Sequence, residues 1–500
     1  MDRNGFSLHA QEHGTLKIEG CIEACRQHFD SILADVISNL HQEAHHMEGS
    51  LFQQLMKLGL LLLNLYFVNH HDGDYGETIE TDQGPATRGR PSERSYFSIF
   101  GKLKIRRYLY ATNSKSFSPL DVLLNLPVRC YSYFLAERVN LLNIQDAYDE
   151  SMQLLEKFFG LKLCVSAAET LSQESAAQYD AYYDVKSDVA ASERVEAYRV
   201  VSFDGKGVPM IKREAAKIKA RLGQGEKRQK KKEALVGVTY SIKAHVRRAQ
   251  EVAAHLVFPE QQEAATVSRP RAQRLRYLAS VARSKRQVMH EIKKAIQGET
   301  FDKTPLICVM DGAKSLWTAF AEVFKDVKNK VLILDIIHVL EYIWLMANMK
   351  YNNDIDQAKN YVYEKLLLIL QGKVASYILE LQNEMLTESW NKSQKRTFEK
   401  VITYLKNHKQ YMRYDEYLSQ GYPIGSGVVE SACSHVVKNR MEVPGARWSV
   451  NGAEAILRLR SVAKSQDWDA YWAFYTTNSR HDGLFSVEHN SLSSKEKIPA

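Results

Sequence analysis

The sequence predicts a chain of mixed α+β and α/β type, in which a helical N-terminal region leads into a sheet-bearing core interrupted by an all-helical insertion. Three observations predict it. Apolar runs fill 198–203, 234–242 and 305–310, rich in the Val, Ile, Tyr and Phe that favour a pleated, half-buried surface. On both sides of that block apolar residues recur at helical spacing, as at Leu51, Leu55, Leu58 and Leu62. Two of the strand runs stop at the same dipeptide, Asp204-Gly205 and Asp311-Gly312. A carboxylate at the end of a buried strand lies at the rim of a sheet, where α/β folds place ligands and chemistry.

Composition narrows the class. At 500 residues the chain has room for roughly two to four domains with their own cores. A hydrophobic share of 45% and a charged share of 25% are those of an ordinary globular chain, which excludes low-complexity and fibrous classes. Six cysteines (Cys21, Cys25, Cys130, Cys164, Cys308, Cys433) fall without ligand spacing and read as reduced thiols of a cytoplasmic protein. No charged segment followed by an apolar one opens the chain, so no signal peptide is expected. The most apolar run, 58–68, contains Asn64. It is shorter than the roughly 20 residues a spanning helix needs, so it reads as a core helix and no membrane partner is expected.

The net charge of +8 is concentrated. Residues 212–232 hold ten Lys/Arg against Glu214 and Glu226, and residues 269–294 hold nine against Glu291. Each segment alone matches the excess of the whole chain, which points to a polyanionic partner. Lys227, Arg228, Lys230, Lys231 and Lys232 read as a mobile phosphate-binding loop; the alternative is a solvated loop with no partner.

Taken in order, 1–95 reads as helices followed by a turn-rich linker over 70–95. A hairpin is expected across Gly101-Lys102, between 96 and 110. Residues 131–185 hold three helical patterns; the second ends at Gly160, a natural C-cap, and Ser166 to Glu169 forms a capping box for the third. That plan is a helix-turn-helix DNA reader over 96–190, with Ser172, Gln173, Ser175 and Gln178 able to reach base edges, or else a plain helical hairpin. The core runs from 197 to 475. Strand one ends at Asp204, strand two is 234–242, a third lies within 243–258, and a helix begins near Arg271. A strand at 305–310, a helix at 314–324, a strand at 330–334 and a helix from Ile336 follow. Three strands, helix, strand, helix, strand is the order of a ribonuclease H-like core. Helices fill about 341–418, a further helix is expected over 426–441, and the polar tail 476–500 is expected to be disordered.

The third acid is Glu430, behind Gly425-Ser-Gly427. Three carboxylates from two strand ends and one helix suit a pair of divalent ions. Taken singly, each Asp-Gly is a turn dipeptide and Glu430 an acid in a helix's first turn. Asp335 reads either as a helix N-cap or as a site residue, and His338 either as a satisfied core histidine or as its partner. Lys438 and Arg440 read as phosphate contacts or as a solvated helix face. Trp448 and the stripe Trp468, Tyr471, Trp472, Tyr475 read as packing.

The segments Phe203-Asp-Gly-Lys-Gly207, Val309-Met-Asp-Gly-Ala-Lys314, Leu334-Asp-Ile-Ile-His338, Gly421 to Glu430, Val437-Lys-Asn-Arg440 and Gly445-Ala-Arg-Trp448 together resemble the DDE transposases of bacterial insertion sequences, most closely the Kra-type group. The resemblance covers the chain from about 96 to 475. It implies a catalytic and metal-binding triad of Asp204, Asp311 and Glu430, with Asp335 and His338 as the accompanying D-x-x-H motif. It also implies two Mg²⁺ ions (Mn²⁺ as substitute), double-stranded transposon-end and target DNA as partners, a homo-oligomer on DNA, and a nucleoid-associated protein. The expected reaction is nicking at the element's ends followed by strand transfer of the freed 3′-hydroxyl. A purely hydrolytic ribonuclease H-like nuclease or resolvase, and a domesticated DNA-binding regulator, remain open from sequence.

Overall fold

The computed structural model describes residues 7–9, 15–70, 72–81, 84–113, 115–187, 198–218, 230–261, 270–351 and 354–479. The chain is mixed α/β and forms two compact units, one of Met1–Ser175 with Asp469–Ala500, the other of Ala176–Trp468. The boundary expected between 95 and 96 falls inside a strand. Of the polar tail expected from 476, residues 480–500 lie outside the described residues, and 476–478 still belong to the helix Trp468–Asn478.

After a short strand at Ser7–His9, the first unit has an antiparallel helical pair, α1 (Thr15–Ser38) and α2 (Ala44–Asn69). The apolar run 58–68 is thus part of a 26-residue helix, long and apolar enough by length and composition to cross a membrane, and with only 11% of its most apolar window buried it is not the core helix expected. Leu60 and Phe67 pack it on Leu103, Ile105, Leu120 and Leu126. The hairpin is longer than expected: β1 (Ala86–Ser98) pairs with β2 (Gly101–Ala111) through Ser98↔Gly101. Much of the expected linker is therefore strand, because Tyr96, Leu103 and Ile105 give the hairpin an apolar face that the preceding residues can extend along. Between Arg94 and Arg107 lies Asp121, 5% exposed and ion-paired to both guanidinium groups.

Three helices follow: α3 (Tyr133–Asn143), α4 (Tyr148–Phe159) and α5 (Val165–Ser175). Gly160 caps α4 at φ 69°, a left-handed conformation that glycine adopts without a Cβ clash. The expected capping box at Ser166 is absent. α5 begins one residue earlier, with the Ala167 and Ala168 amides on the Cys164 carbonyl. Ser172 and Ser175 do not face outward either. Ser172 donates to Asn140 Oδ1 at 2.8 Å, and Asn140 donates to Ser175 Oγ at 2.9 Å, all buried. A buried hydroxyl must find a partner inside, so these two serines lock α5 to α3, and neither can reach a base edge. Gln173 is exposed.

The second unit, after the helix α6 (Tyr179–Ser187), is built on a five-stranded sheet. Its strands are β3 (Tyr198–Pro209), β4 (Lys231–Ile242), β5 (Gln273–Ser280), β6 (Leu306–Met310) and β7 (Lys330–Leu334), in the spatial order β7-β6-β3-β4-β5. β3, β4 and β5 are antiparallel, while β3, β6 and β7 run parallel. Leu306 to Met310 are all fully buried, as expected for a strand covered on both faces.

Two strand assignments change. β3 runs on past Asp204 to Pro209, with Asp204 opposite Val236, so β3 and β4 form one long hairpin. The third strand is 273–280, where a helix was expected, and the stretch expected to hold it contains the helix α7 (Ala249–Val257). Leu275 and Leu278 fit a helical spacing, but Tyr277, Leu278, Ala279 and Ser280 are buried in succession. A short apolar run does not distinguish the two by periodicity.

Sequence and structure agree on α8 (Lys285–Lys294) only in its later residues, since it starts at the Ser284 cap. Helix α9 (Lys314–Val323) lies where expected. Between β7 and Gly421 the described residues are helical: α10 (Ile336–Lys350), α11 (Ile355–Leu370), α12 (Val374–Thr387), α13 (Lys392–His408) and α14 (Tyr414–Ser419). The expected single helix 426–441 is α15 (Gly427–Ala432), a π-helical stretch Cys433–Lys438 and a last short turn. α16 (Val450–Lys464) then packs beside β5.

A candidate acidic metal centre

Register places three carboxylates in a row. Phe203 is level with Met310, and Met310 with Leu334. Asp204, Asp311 and Asp335 each come next, on neighbouring strands about 4.8 Å apart. The same apolar-strand-then-Asp pattern, three times over, is what the sequence needs to build that row.

Each carboxylate is held locally. Asp204 Oδ1 accepts from the Gly205 amide at 2.6 Å, and Oδ2 from the Cys433 thiol at 3.3 Å. Burial raises its pKa, as does the charge of Asp311, against the thiol, the Gly205 amide and His338. Asp311 Oδ1 takes the Ala313 amide at 3.0 Å, closing a turn. The Asp311 carbonyl takes the Trp317 indole at 2.8 Å, and that ring stacks on Tyr411. Asp335, fully buried, caps α10 by accepting from the Ile337 amide at 2.9 Å, and its other oxygen accepts from the Ser426 hydroxyl. The N-cap reading and the site reading of Asp335 are therefore compatible.

Glu430 meets the row at its Asp335 end. Ser426 Oγ lies 2.9 Å from Glu430 Oε1 and also bonds Asp335, so one hydroxyl stands between two acids. Burial chiefly, and Glu430 in addition, push the Asp335 carboxyl up to about 6, against the Ser426 and Ile337 hydrogen bonds. Burial alone would lower the pKa of His338, but Asp335, Glu341 and Asp311 outweigh it and hold the imidazole above its ordinary value. Ligand atoms of Asp335, His338 and Glu430 all lie within 4.8 Å of one another. Asp204 and Asp311 stand outside that compact set. The structure thus groups Glu430 most closely with the D-x-x-H pair, while Asp204 and Asp311 are neighbours where the parallel pairing of β3 and β6 stops.

Glu454 shows what a structural acid looks like in the same unit. It is buried, and it accepts from Ser280 Oγ, from the Val281 and Ala282 amides and from Arg458. Asp335 and Glu430 have a smaller set: Asp335 has the Ile337 amide, and the two acids share the Ser426 hydroxyl. Buried charge without enough donors is costly, and a cation would offset it. Carboxylate oxygens suit hard ions such as Mg²⁺ and Mn²⁺, so the donor set fits the ions that the resemblance implies.

The basic residues fare differently. Arg440 is no phosphate contact: it is 1% exposed, with its guanidinium 4.7 Å from the centre of the Trp448 ring. The π-helical turn shifts every later residue of the helix around its axis, which carries Arg440 inward and leaves Lys438 exposed. Lys227 and Arg228 lie outside the described residues. Lys230 is exposed, Lys232 is half-buried, and Lys231 pairs with Glu442 at 2.9 Å. Trp448, Trp468, Tyr471 and Trp472 are buried, as the packing reading requires, and the six cysteines are unpaired.

Four residues near the acids had no role from sequence. Ser426 and Cys433 lie four before and three after Glu430, close enough on a helix for the spacing to have hinted at them. Tyr404 and His408, from α13, carried no local signal. His408 Nε2 lies 3.0 Å from the Gly312 carbonyl, and the Tyr404 ring stacks on Tyr342 with centroids 3.7 Å apart. A Cβ on Gly312 would sit 2.6 Å from Tyr404 Cε2. Gly312→Ala is therefore expected to cost about 1–2 kcal/mol through overpacking and to displace the Asp311 turn; a thermal melt no lower than wild type would disprove the close fit.

No protein-family model and no curated protein matches the chain.

Proposed function

We propose that this chain is a DDE-type DNA strand transferase of a mobile element, whose second unit is a ribonuclease H-like catalytic core. The observation that carries the reading is the register-matched row of Asp204, Asp311 and Asp335 with Glu430 against it. A sheet of three antiparallel strands continued by two parallel ones, with acids at the ends of the parallel set, is compatible with that core. The basic segment 212–232 supports a nucleic-acid substrate, whereas in 269–294 Arg283, Lys285, Arg286, Lys293 and Lys294 are ion-paired with acids of the same chain.

Asp204, Asp311 and Glu430 would hold divalent ions, with Asp335 and His338 beside Glu430. Ions bound there would supply charge stabilisation and a more acidic bound water. The chain's own part is to fix Asp204 within β3, Asp311 and Asp335 just past β6 and β7, and Glu430 on α15, and to keep them partly out of water, where electrostatic effects are larger. In the first step water attacks the phosphorus at the element's end, the 3′-oxygen leaves and takes a proton, and the 5′-phosphate stays on the flank. In the second, that 3′-hydroxyl attacks a target phosphodiester and displaces the target's 3′-oxygen.

The test uses DNA carrying the sequences that flank the gene, incubated with the full chain and Mg²⁺. Nicks with 3′-hydroxyl ends and joined products are expected. Nicking that never yields joined product would favour a hydrolytic nuclease, and binding with no cleavage would favour a regulator.

A further inference from the structure

Of the 20 large hydrophobic residues exposed among the described residues, nine lie on the α1–α2 pair and the link between its helices. On α1 and the link after it, Phe29, Leu33, Val36 and Leu40 are exposed at spacings of four, three and four. On α2, Phe52, Leu55, Leu62 and Tyr66 are exposed at spacings of three, seven and four. Both stripes follow the 3.5-residue repeat by which helices pack side by side in bundles and coiled coils. Neither stripe includes Leu60 or Phe67, the residues that fix α2 to its own core. A helix open to water normally carries charge on its outer face, yet α2 has only Glu48 and Lys57 among 26 residues, apart from its histidines.

The two helices are antiparallel, with His28 against the Gln54 carbonyl and Asn64 against Cys21. That register brings Phe52 and Leu55 to the same end of the pair as the α1 stripe. With Ile37, seven large apolar side chains at that end are between 41% and 82% exposed. If each still exposes about half of the roughly 200 Å² a large side chain can bury, that end offers on the order of 700 Å² per copy, within the roughly 600–1,000 Å² per partner of a standard interface.

We infer that the α1–α2 pair is a dimerisation module: the pairs of two copies pack into a four-helix bundle. A second copy is the occupant whose stripes carry the matching repeat, and a two-fold axis needs only one self-complementary patch. The inference does not depend on the chemistry of the acidic centre. It assigns the dimer to this helical pair and to protein alone, in the absence of DNA.

Sedimentation velocity of the DNA-free full chain, up to about 50 μM, tests it. The wild type is expected to dimerise, and Leu33→Glu with Leu55→Glu to raise the dimer dissociation constant by roughly 100-fold, as loss of buried anchor contacts does, with an unchanged far-UV circular dichroism spectrum. Should that double variant unfold, Leu40→Glu, in the link outside both helices, is expected to weaken the dimer by roughly 10-fold. Flotation with phosphatidylcholine–phosphatidylglycerol vesicles runs alongside. A wild type monomeric throughout, variants that dimerise as the wild type does, or a wild type that floats with the vesicles while its unbound fraction is monomeric would each overturn the inference, the last in favour of a membrane surface.

Discussion

Asp204→Ala, Asp311→Ala and Glu430→Ala are each expected to lower Mg²⁺-dependent cleavage of end DNA by at least about 1,000-fold, while end binding and the thermal melt stay close to wild type. Loss of a metal ligand removes several kcal/mol of charge stabilisation, and each 1.36 kcal/mol is about a factor of ten in rate. None of the three is a main support of the fold. Asp204 is held by one amide and one thiol, Asp311 by one amide, and Glu430 by one hydroxyl. Glu454, with four hydrogen-bonded groups, is the contrast: its loss should lower the melting temperature of the whole unit. Single-turnover cleavage, gel shift and melting on the same preparations separate the two outcomes. A triad variant that nicks and joins like the wild type removes that residue from the centre, and a variant that merely unfolds shows its acid to be structural.

The parts of this site that sequence made legible are those fixed by short-range rules. The apolar runs give the strands, and the parallel register of β3, β6 and β7 then aligns Asp204, Asp311 and Asp335, although Asp204 lies within β3, where its parallel pairing with β6 stops, and not at the strand's end. What sequence did not yield depends on a neighbour far along the chain or on a change of helical pitch. Arg440 looks like any basic residue at a helix end until the π-helical turn carries it under Trp448. Ser172 and Ser175 look like surface residues until Asn140, more than 30 positions earlier, takes both. The 273–280 segment satisfied a helical spacing and became a strand because β4 offers it an edge to pair with. Tyr404 and His408 reach the Asp311 turn from a helix about 100 residues further on, and no local pattern marks them.

Asp335→Asn is expected to stabilise the metal-free protein at pH 7.5, by on the order of 1–3 kcal/mol. The Asp335 carboxyl is raised from the ordinary aspartate range to about 6, by burial and then by Glu430. A raised acid favours the fold in its protonated form. That stability is fully present below the ordinary aspartate range and is lost as pH rises through about 6. Asparagine keeps the acceptor for the Ile337 amide and can donate toward Ser426 or Glu430, so the cap survives while the repulsion goes. Melting the two proteins in chelator at pH 4 and pH 7.5 should therefore show a gap in favour of the variant at the higher pH and little gap at the lower. Mg²⁺ should narrow or reverse it, because an ion that binds the folded wild type more tightly than the variant stabilises the wild type more. A variant no more stable than wild type at pH 7.5 in chelator would show that Asp335 bears no such strain, and a gap indifferent to Mg²⁺ and Mn²⁺ would show that neither ion uses its carboxylate.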